Sequence, residues 1–148
     1  FAAKVADAGH RSAMAQTLLK LTAPGVPDIY QGDEIVTLNL VDPDNRRQVD
    51  WATRRAMLRG DEPGDARDRE KLDLITRTLR LRRERPEAFA GAYEPVEAGP
   101  DVCAYVRGGE VLVVAALRAA GQDAVIEGHG PVRSLTGGRS YALVELRR

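Results

Sequence analysis

The chain has 148 residues, enough for one complete domain or for parts of two. Hydrophobic residues make up 43% and charged residues 30% of it, and 22 basic residues balance 22 acidic ones, so the formal net charge is zero. This is the composition of a soluble globular protein, and it lacks the basic excess that binding to nucleic acid or to an anionic membrane requires.

Several classes of site are also excluded by composition. The single Cys103 cannot form an internal disulfide, and His10 and His129 are too far apart in sequence for a zinc cluster. No apolar run approaches the roughly 20 residues that span a bilayer, and the first residues lack the apolar middle of a signal peptide. We therefore expect no metal, no cofactor and a cytoplasmic setting, and we expect the chain to begin inside a longer protein because it does not start with Met.

The first predicted element is a helix over residues 12–21. Ser12 is a suitable N-cap, and Pro24 ends the helix because a residue before proline avoids helical angles. The apolar residues at helical spacing are Met14, Leu18 and Leu21.

A short buried strand is predicted next, at residues 28–30. Gly32 breaks it and opens a long loop that continues to Asp50. Helix, turn, strand and long loop in this order form the repeating unit of an α/β protein, in which functional loops follow the carboxyl ends of the strands.

Two further helices are predicted, over residues 52–59 and 67–85. Asp50 or Thr53 caps the first, and Pro86 stops the second. The predicted apolar face of the second helix consists of Leu72, Ile75, Leu79 and the aliphatic part of Arg82.

Beyond Pro86 the pattern changes to short strands. Residues 102–106 and 111–117 flank Gly108-Gly109, which is a two-residue hairpin signal. Further strands are predicted at residues 124–127, 131–135 and 141–146. The spacing indicates an antiparallel sheet or sandwich, and we place a domain boundary so that residues 1–86 and 87–148 form the two parts.

The loop Asp42-Pro43-Asp44-Asn45-Arg46-Arg47 is the first candidate site. The guanidinium of Arg46 or Arg47 can donate two parallel hydrogen bonds to a carboxylate or to a pair of hydroxyls. Asp42 or Asp44 can accept hydrogen bonds from sugar hydroxyls. The alternative is a plain turn, because Asp-Pro-Asp-Asn is strong turn chemistry, and spacing alone favours the turn slightly.

Tyr30 and Gln31 form the second candidate, because side chains at the end of a barrel strand point into the mouth of the barrel. Trp51 is either a platform for a sugar ring or, slightly favoured, a hydrophobic anchor. The pair Arg54-Arg55 is predicted to be a solvated basic face.

Two segments together carry a resemblance to a known family. LLKLTAPGVPDIYQGDE followed by LVDPDNRRQVDW resembles the last barrel strand and following loop of the α-amylase superfamily, and within it the maltooligosyl trehalose synthases. The resemblance is strong over residues 17–51, extends through residues 67–85 and is weak beyond residue 92. Gln48 stands where the NRRPVD form of the motif has proline.

This resemblance implies a fold and a reaction. The fold is the final part of a (β/α)8 barrel followed by a small antiparallel β-sandwich domain. The reaction is retaining: the reducing-end α-1,4 linkage of a maltooligosaccharide is converted to an α,α-1,1 linkage, with an Asp nucleophile, a Glu acid/base and a further Asp on earlier strands.

No position in this chain matches those three carboxylates, so the resemblance implies no catalytic residue here and an inactive segment by itself. The implied substrate-binding residues are Tyr30, Gln31, Asp42, Asp44, Arg46 and Arg47. The implied partners are the maltooligosaccharide and the remainder of the chain's own barrel. Two alternatives remain open: another hydrolase or glucanotransferase of the superfamily, or a non-catalytic structural or interaction module.

Overall fold

A computed structural model describes residues 1–39, 42–43, 46–131 and 139–146. Helices form the first part and antiparallel strands the second. The helices are α1 (Ala2–Thr22), α2 (Trp51–Arg59), α3 (Ala66–Glu84) and α4 (Pro86–Ala90). The strands are β1 (Tyr93–Pro95), β2 (Val102–Arg107), β3 (Val111–Ala116), β4 (Val125–Ile126), β5 (Gly130–Pro131) and β6 (Tyr141–Glu145), with a 3₁₀ helix at Ala119–Asp123. In the described part of the chain, no helix is both long and apolar enough to cross a membrane.

The first helix is longer than predicted. It begins after Phe1, and Ser12 lies inside it, where the Ser12 hydroxyl accepts a hydrogen bond from Gln16 Nε2 at 3.1 Å. The prediction of Ser12 as the N-cap is therefore wrong, because the alanine-rich segment before it also favours helix. The predicted apolar face is confirmed: Met14, Leu18 and Leu21 are all buried.

The second helix is confirmed to within one residue. Asp50 is its N-cap, and Asp50 Oδ1 accepts from the Thr53 backbone N–H at 3.0 Å. These contacts hold the pKa of Asp50 below its usual value, with the Thr53 backbone hydrogen bond as the largest cause.

The third helix is also confirmed in its bounds, but its buried face differs from the prediction. Leu79 is exposed, and the buried residues are Leu72, Leu74, Ile75, Thr78 and Leu81. The face is rotated because α3 must pack against α1 and the sheet together. Pro86 does end α3, but it also occupies the first position of α4, where its missing N–H costs nothing.

The predicted antiparallel sheet is present, with strand order β1-β2-β3-β6. The β2–β3 hairpin turns through Gly108 and Gly109, which have φ of 55° and 69°, and Glu110 N–H donates to Arg107 O at 3.0 Å. Positive φ at both central residues is what a type I′ hairpin turn requires. Strands β4 and β5 form a separate two-stranded sheet, and positions 132–135 of the predicted strand lie outside the described residues.

The core lies on both sides of the four-stranded sheet. On one side, a single cluster of buried side chains joins α1, α3 and α4 to the sheet, and it includes Leu18, Leu74, Phe89 and Val113. On the other side, alternate strand residues pack against Ile126 and its neighbours. The structure is thus a helical layer and a small ribbon on opposite faces of one antiparallel sheet, and the barrel and the sandwich stay predictions.

A buried hydrogen bond joins the sheet to α1. Thr22 Oγ1 donates to Leu18 O at 2.7 Å, so the hydroxyl of Tyr105, 2.5 Å away, donates to Thr22 Oγ1. Burial raises the pKa of Tyr105 to about 12, and burial likewise raises the pKa of Tyr141 to about 12.

These two tyrosines predict a loss of stability in alkali. A folded-state pKa above the unfolded value of about 10 means that the folded chain holds the phenol proton more tightly, so stability is complete below pH 10 and falls as the pH rises toward 12. Urea unfolding measured from pH 8 to 11.5 checks this. Tyr105→Phe should lower the free energy of unfolding by about 1 kcal/mol at pH 8. Above pH 10 it should also reduce the slope of that free energy against pH.

The matched control is Tyr30→Phe, because Tyr30 is half exposed. It should leave both the stability and the slope unchanged. If the free energy of unfolding falls equally steeply with pH in Tyr105→Phe and in the parent chain, Tyr105 is not a source of the alkaline destabilisation.

Candidate functional site

The loop that carries the predicted site begins where α1 ends. Pro24 cannot continue the helix, and Gly25 takes a φ of 113° that favours glycine. Arg82 of α3 donates to two carbonyls at this point, Leu21 O at 2.9 Å and Gly25 O at 3.0 Å. The start of the loop is therefore fixed to the last turn of α3.

The predicted strand at residues 28–30 is wrong for this structure, since residues 26–39 contain no strand. Instead, Asp33 N–H donates to Tyr30 O at 2.9 Å, and Gly32 has a φ of 92° within this turn. A parallel strand needs hydrogen bonds from a neighbouring strand, and among the described residues none lies beside this segment. Tyr30 is 46% exposed, and Gln31 is exposed as well.

Arg54 of α2 contacts the turn that contains Gly32. Its side chain is 9% exposed and donates to Gly32 O at 2.7 Å, to Asp50 O at 3.0 Å and to Glu34 Oε2 at 3.2 Å. The prediction of a solvated Arg54 is therefore wrong. Because a buried guanidinium needs acceptors on all sides, the loop and the cap of α2 supply them.

Lys71 of α3 holds the following part of the loop. Its Nζ donates to Ile35 O at 3.0 Å, and the Asp68 carboxylate accepts from Val36 N–H at 3.0 Å. Burial lowers the pKa of Lys71, and the nearby carboxylate of Asp33 opposes that shift. We call Arg54, Lys71 and Arg82 the carbonyl clamp, because together they pair loop carbonyls that no strand pairs.

The loop at residues 42–47 places two predicted site residues together. Arg46 and Asp42 form a bidentate ion pair, with Nε to Oδ1 at 2.6 Å and NH2 to Oδ2 at 2.9 Å. Arg46 N–H also donates to Pro43 O at 2.9 Å, as in the predicted turn. Arg47 is exposed, and Asp44 lies outside the described residues.

The chemistry of these residues suits a hydroxyl-rich ligand. The side chains of Tyr30 and Gln31 make no hydrogen bond to described residues, so their hydroxyl and amide groups face solvent. Asp42 and Arg46 keep unused acceptor and donor positions beyond their mutual pair. In the described part of the chain, no group of three or more His, Cys, Asp or Glu side chains is arranged to hold a metal ion.

Two other side chains named in the sequence analysis can be placed. Trp51 is 42% exposed at the start of α2, so within the described chain it does not act as the hydrophobic anchor that was favoured. His10 lies inside α1, and its Nε2 is 2.7 Å from Glu70 Oε2, which makes it a partnered helical residue. The carbonyl clamp was missed because nothing in the periodicity separates Arg54 from the exposed Arg55.

Arg54 and Arg55 therefore form a matched pair for a stability test. Arg54→Ala should lower the free energy of unfolding by about 2–3 kcal/mol, because it leaves the Glu34 carboxylate and Gly32 O without the donors that Arg54 supplies, while Asp50 O keeps only the backbone N–H of residue 54 at 3.5 Å. Arg55→Ala should change it by less than about 0.5 kcal/mol, since Arg55 is exposed. Urea denaturation measures both, and equal effects would mean that Arg54 does not hold the loop.

Known proteins resemble this chain in sequence and in structure. No known protein-family profile matches the chain. In two strains of Mycobacterium tuberculosis, a protein described provisionally as a maltooligosyl trehalose synthase is 50% identical over 106 residues, which is 68% of this chain and 13% of the relative.

Solved structures agree with this match. A variant of maltooligosyltrehalose synthase from Arthrobacter ramosus superposes with a TM-score of 0.77 and 36% identity, over 93% of this chain and 22% of that one. A second maltooligosyl trehalose synthase structure gives 0.71 and 29%, over 78% of this chain and 17% of that one. The chain is thus a homologue of one segment of the maltooligosyl trehalose synthases.

Proposed function

We propose that this chain is the C-terminal portion of a cytoplasmic maltooligosyl trehalose synthase. The complete enzyme would convert the reducing-end α-1,4 linkage of a maltooligosaccharide into an α,α-1,1 linkage. The observation that carries the proposal is the 50% identity over 106 residues to proteins so described, in a chain that also contains the DPDNRR loop. Residues 1–86 would then end the catalytic barrel, and residues 87–148 would form the C-terminal β-domain.

Exposed apolar side chains near the loop support the proposal that another segment of the complete protein packs against it. Val26 is 97% and Leu38 is 92% exposed, and Tyr30 and Trp51 are each about half exposed. Apolar residues grouped on one loop and the adjacent helix end are typical of a surface that another polypeptide segment covers. The rest of the barrel would be that segment, and its neighbouring strand would supply the hydrogen bonds that residues 28–30 need to become a strand.

The proposed role of this chain is to form one wall of the substrate site. Retaining chemistry needs two carboxylates on opposite sides of the scissile bond, and these would come from earlier strands. The released glucose must be held and water excluded, because otherwise hydrolysis competes with re-joining. Tyr30 and Gln31 would contact hydroxyls at the loop turn, and Asp42, Asp44, Arg46 and Arg47 would do so at the second loop.

A product assay on the complete parent enzyme tests the reaction. With maltopentaose as substrate, reducing ends should disappear while little glucose is released. Steady formation of reducing sugar would contradict the proposal and favour a hydrolase or glucanotransferase. Cooperative folding of the 148-residue chain with binding to a protein but not to maltooligosaccharide would favour a non-catalytic module.

The exposed arginines provide a sharper test of the site. Arg46→Ala and Arg47→Ala in the parent enzyme should each lower kcat or raise KM several-fold, because both lie on the proposed wall. The melting temperature should change little, since the Arg46 side chain is 71% exposed. Steady-state kinetics and thermal unfolding measure the two effects.

Arg59 offers a matched control. It forms an exposed ion pair with Asp61 at 2.6 Å, so Arg59→Ala removes the same kind of interaction at the end of α2. Its kinetics should match those of the parent. If all three variants behave alike, the second loop is only a turn.

A further inference from the structure

A groove separate from the proposed sugar site lies between the helices and the sheet. It has a volume of about 470 Å³ and is bounded by the start of the loop at Gly25, by α4 and by Tyr93 of β1. Two arginines, Arg82 and Arg107, are in its wall, and no Asp or Glu is among its described lining residues. The described wall of the groove therefore carries two positive charges and no carboxylate.

Arg107 is the unusual member. It lies at the end of β2 on the helix-facing side and is 1% exposed, yet no carboxylate of a described residue pairs with it. Its NH2 donates to Phe89 O, while Nε and NH1 have no hydrogen-bond partner among the described residues. Since Nε carries one N–H and NH1 two, three donors on a buried cation stay unused. A buried charge in this condition calls for an acceptor that also carries negative charge.

Arg82 strengthens the positive potential of the same groove. Its guanidinium stands 4.8 Å from the centre of the Phe89 ring, and the Phe89 carbonyl is the acceptor for Arg107. Burial lowers the pKa of Arg82, and the charge of Arg107 lowers it further. The NH1 and NH2 groups of Arg82 are used on Leu21 O and Gly25 O, so Arg82 contributes charge and Arg107 contributes the open donors.

We propose that this groove binds an oxyanion, a phosphate or a carboxylate, through Nε and NH1 of Arg107. The unpaired nitrogens do not contact solvent, so the anion must displace part of the groove wall to reach them. Tyr93 lines the groove and is half exposed, and an outward turn of its side chain would give up its ring contact with Tyr105, whose centre is 4.6 Å away. Nothing in the proposed glucosyl transfer uses an anion, so the site is independent of that function.

Thermal unfolding of the 148-residue chain tests the proposal. Inorganic phosphate or acetate replaces chloride at constant ionic strength, and the melting temperature should rise saturably by about 5 °C at a hundredfold excess over Kd. A rise with phosphate alone identifies a free phosphate-type ligand. A rise with acetate alone identifies a carboxylate such as an acidic side chain, and a rise with both anions supports a site that accepts either oxyanion. No saturable rise with either anion overturns the proposal.

A matched pair of variants assigns the effect to the groove. Arg107→Gln keeps an amide donor for the Phe89 carbonyl and should abolish the rise. Arg80→Gln, on the exposed side of α3, removes the same charge and should leave the rise intact. Equal loss in both variants, or retention in Arg107→Gln, contradicts the proposal.

A measurement on the unsubstituted chain covers the case in which Arg107→Gln does not fold. The Nε–Hε resonance of Arg107, assigned through its own side chain, should shift saturably with the anion and give the same Kd as the thermal titration. The corresponding resonance of Arg80 should not shift. If the melting temperature rises with the anion but the Arg107 resonance does not shift, the anion binds elsewhere and the proposal is overturned.

Discussion

Strand β3 is buried on both of its faces, and the other elements are arranged around that burial. Every residue from Val111 to Ala116 is excluded from solvent, and complete burial of one such aliphatic side chain stabilises a fold by about 1.5–3 kcal/mol. A strand of this kind needs an apolar layer on each side. Helices α1, α3 and α4 provide one layer, and the Ile126 ribbon with its neighbouring loop provides the other. The core therefore joins residues from both sides of Pro86.

The loop after α1 depends on a different kind of interaction. Its backbone carbonyls lack strand partners in the described chain, and unpaired carbonyls are costly wherever water is excluded. The carbonyl clamp meets this need with side chains that have long aliphatic parts and charged ends. Such contacts fix the path of the loop while leaving the side chains of Tyr30 and Gln31 at the surface. Rigid backbone and accessible polar groups are the combination that a binding wall requires.

The positively charged side chains of this structure differ in the partners that they contact. Exposed ion pairs such as Asp42–Arg46 are open to further polar contacts, and each contributes little to stability. The three residues of the carbonyl clamp donate hydrogen bonds to backbone carbonyls of the chain. Arg107 alone among the buried described cations keeps two nitrogens unpaired, which separates it from the structural arginines.

Local patterns in the sequence determined the helices near residues 67–85 and 52–59 and the Gly108-Gly109 hairpin, because each depends on neighbours a few positions apart. The alternation and turn signals also indicated an antiparallel sheet, although the pairing of β3 with β6 joins distant residues. The quoted motifs also carried the resemblance to the synthases, which the comparisons support. Tertiary structure decided what depends on distant partners. It left residues 28–30 without a strand because no described strand lies beside them, and it turned Leu79 outward because α3 packs on two surfaces at once. It also buried Arg54 next to the exposed Arg55, and it buried Arg107 at the end of β2, since the carbonyls that each guanidinium contacts come from elsewhere in the chain.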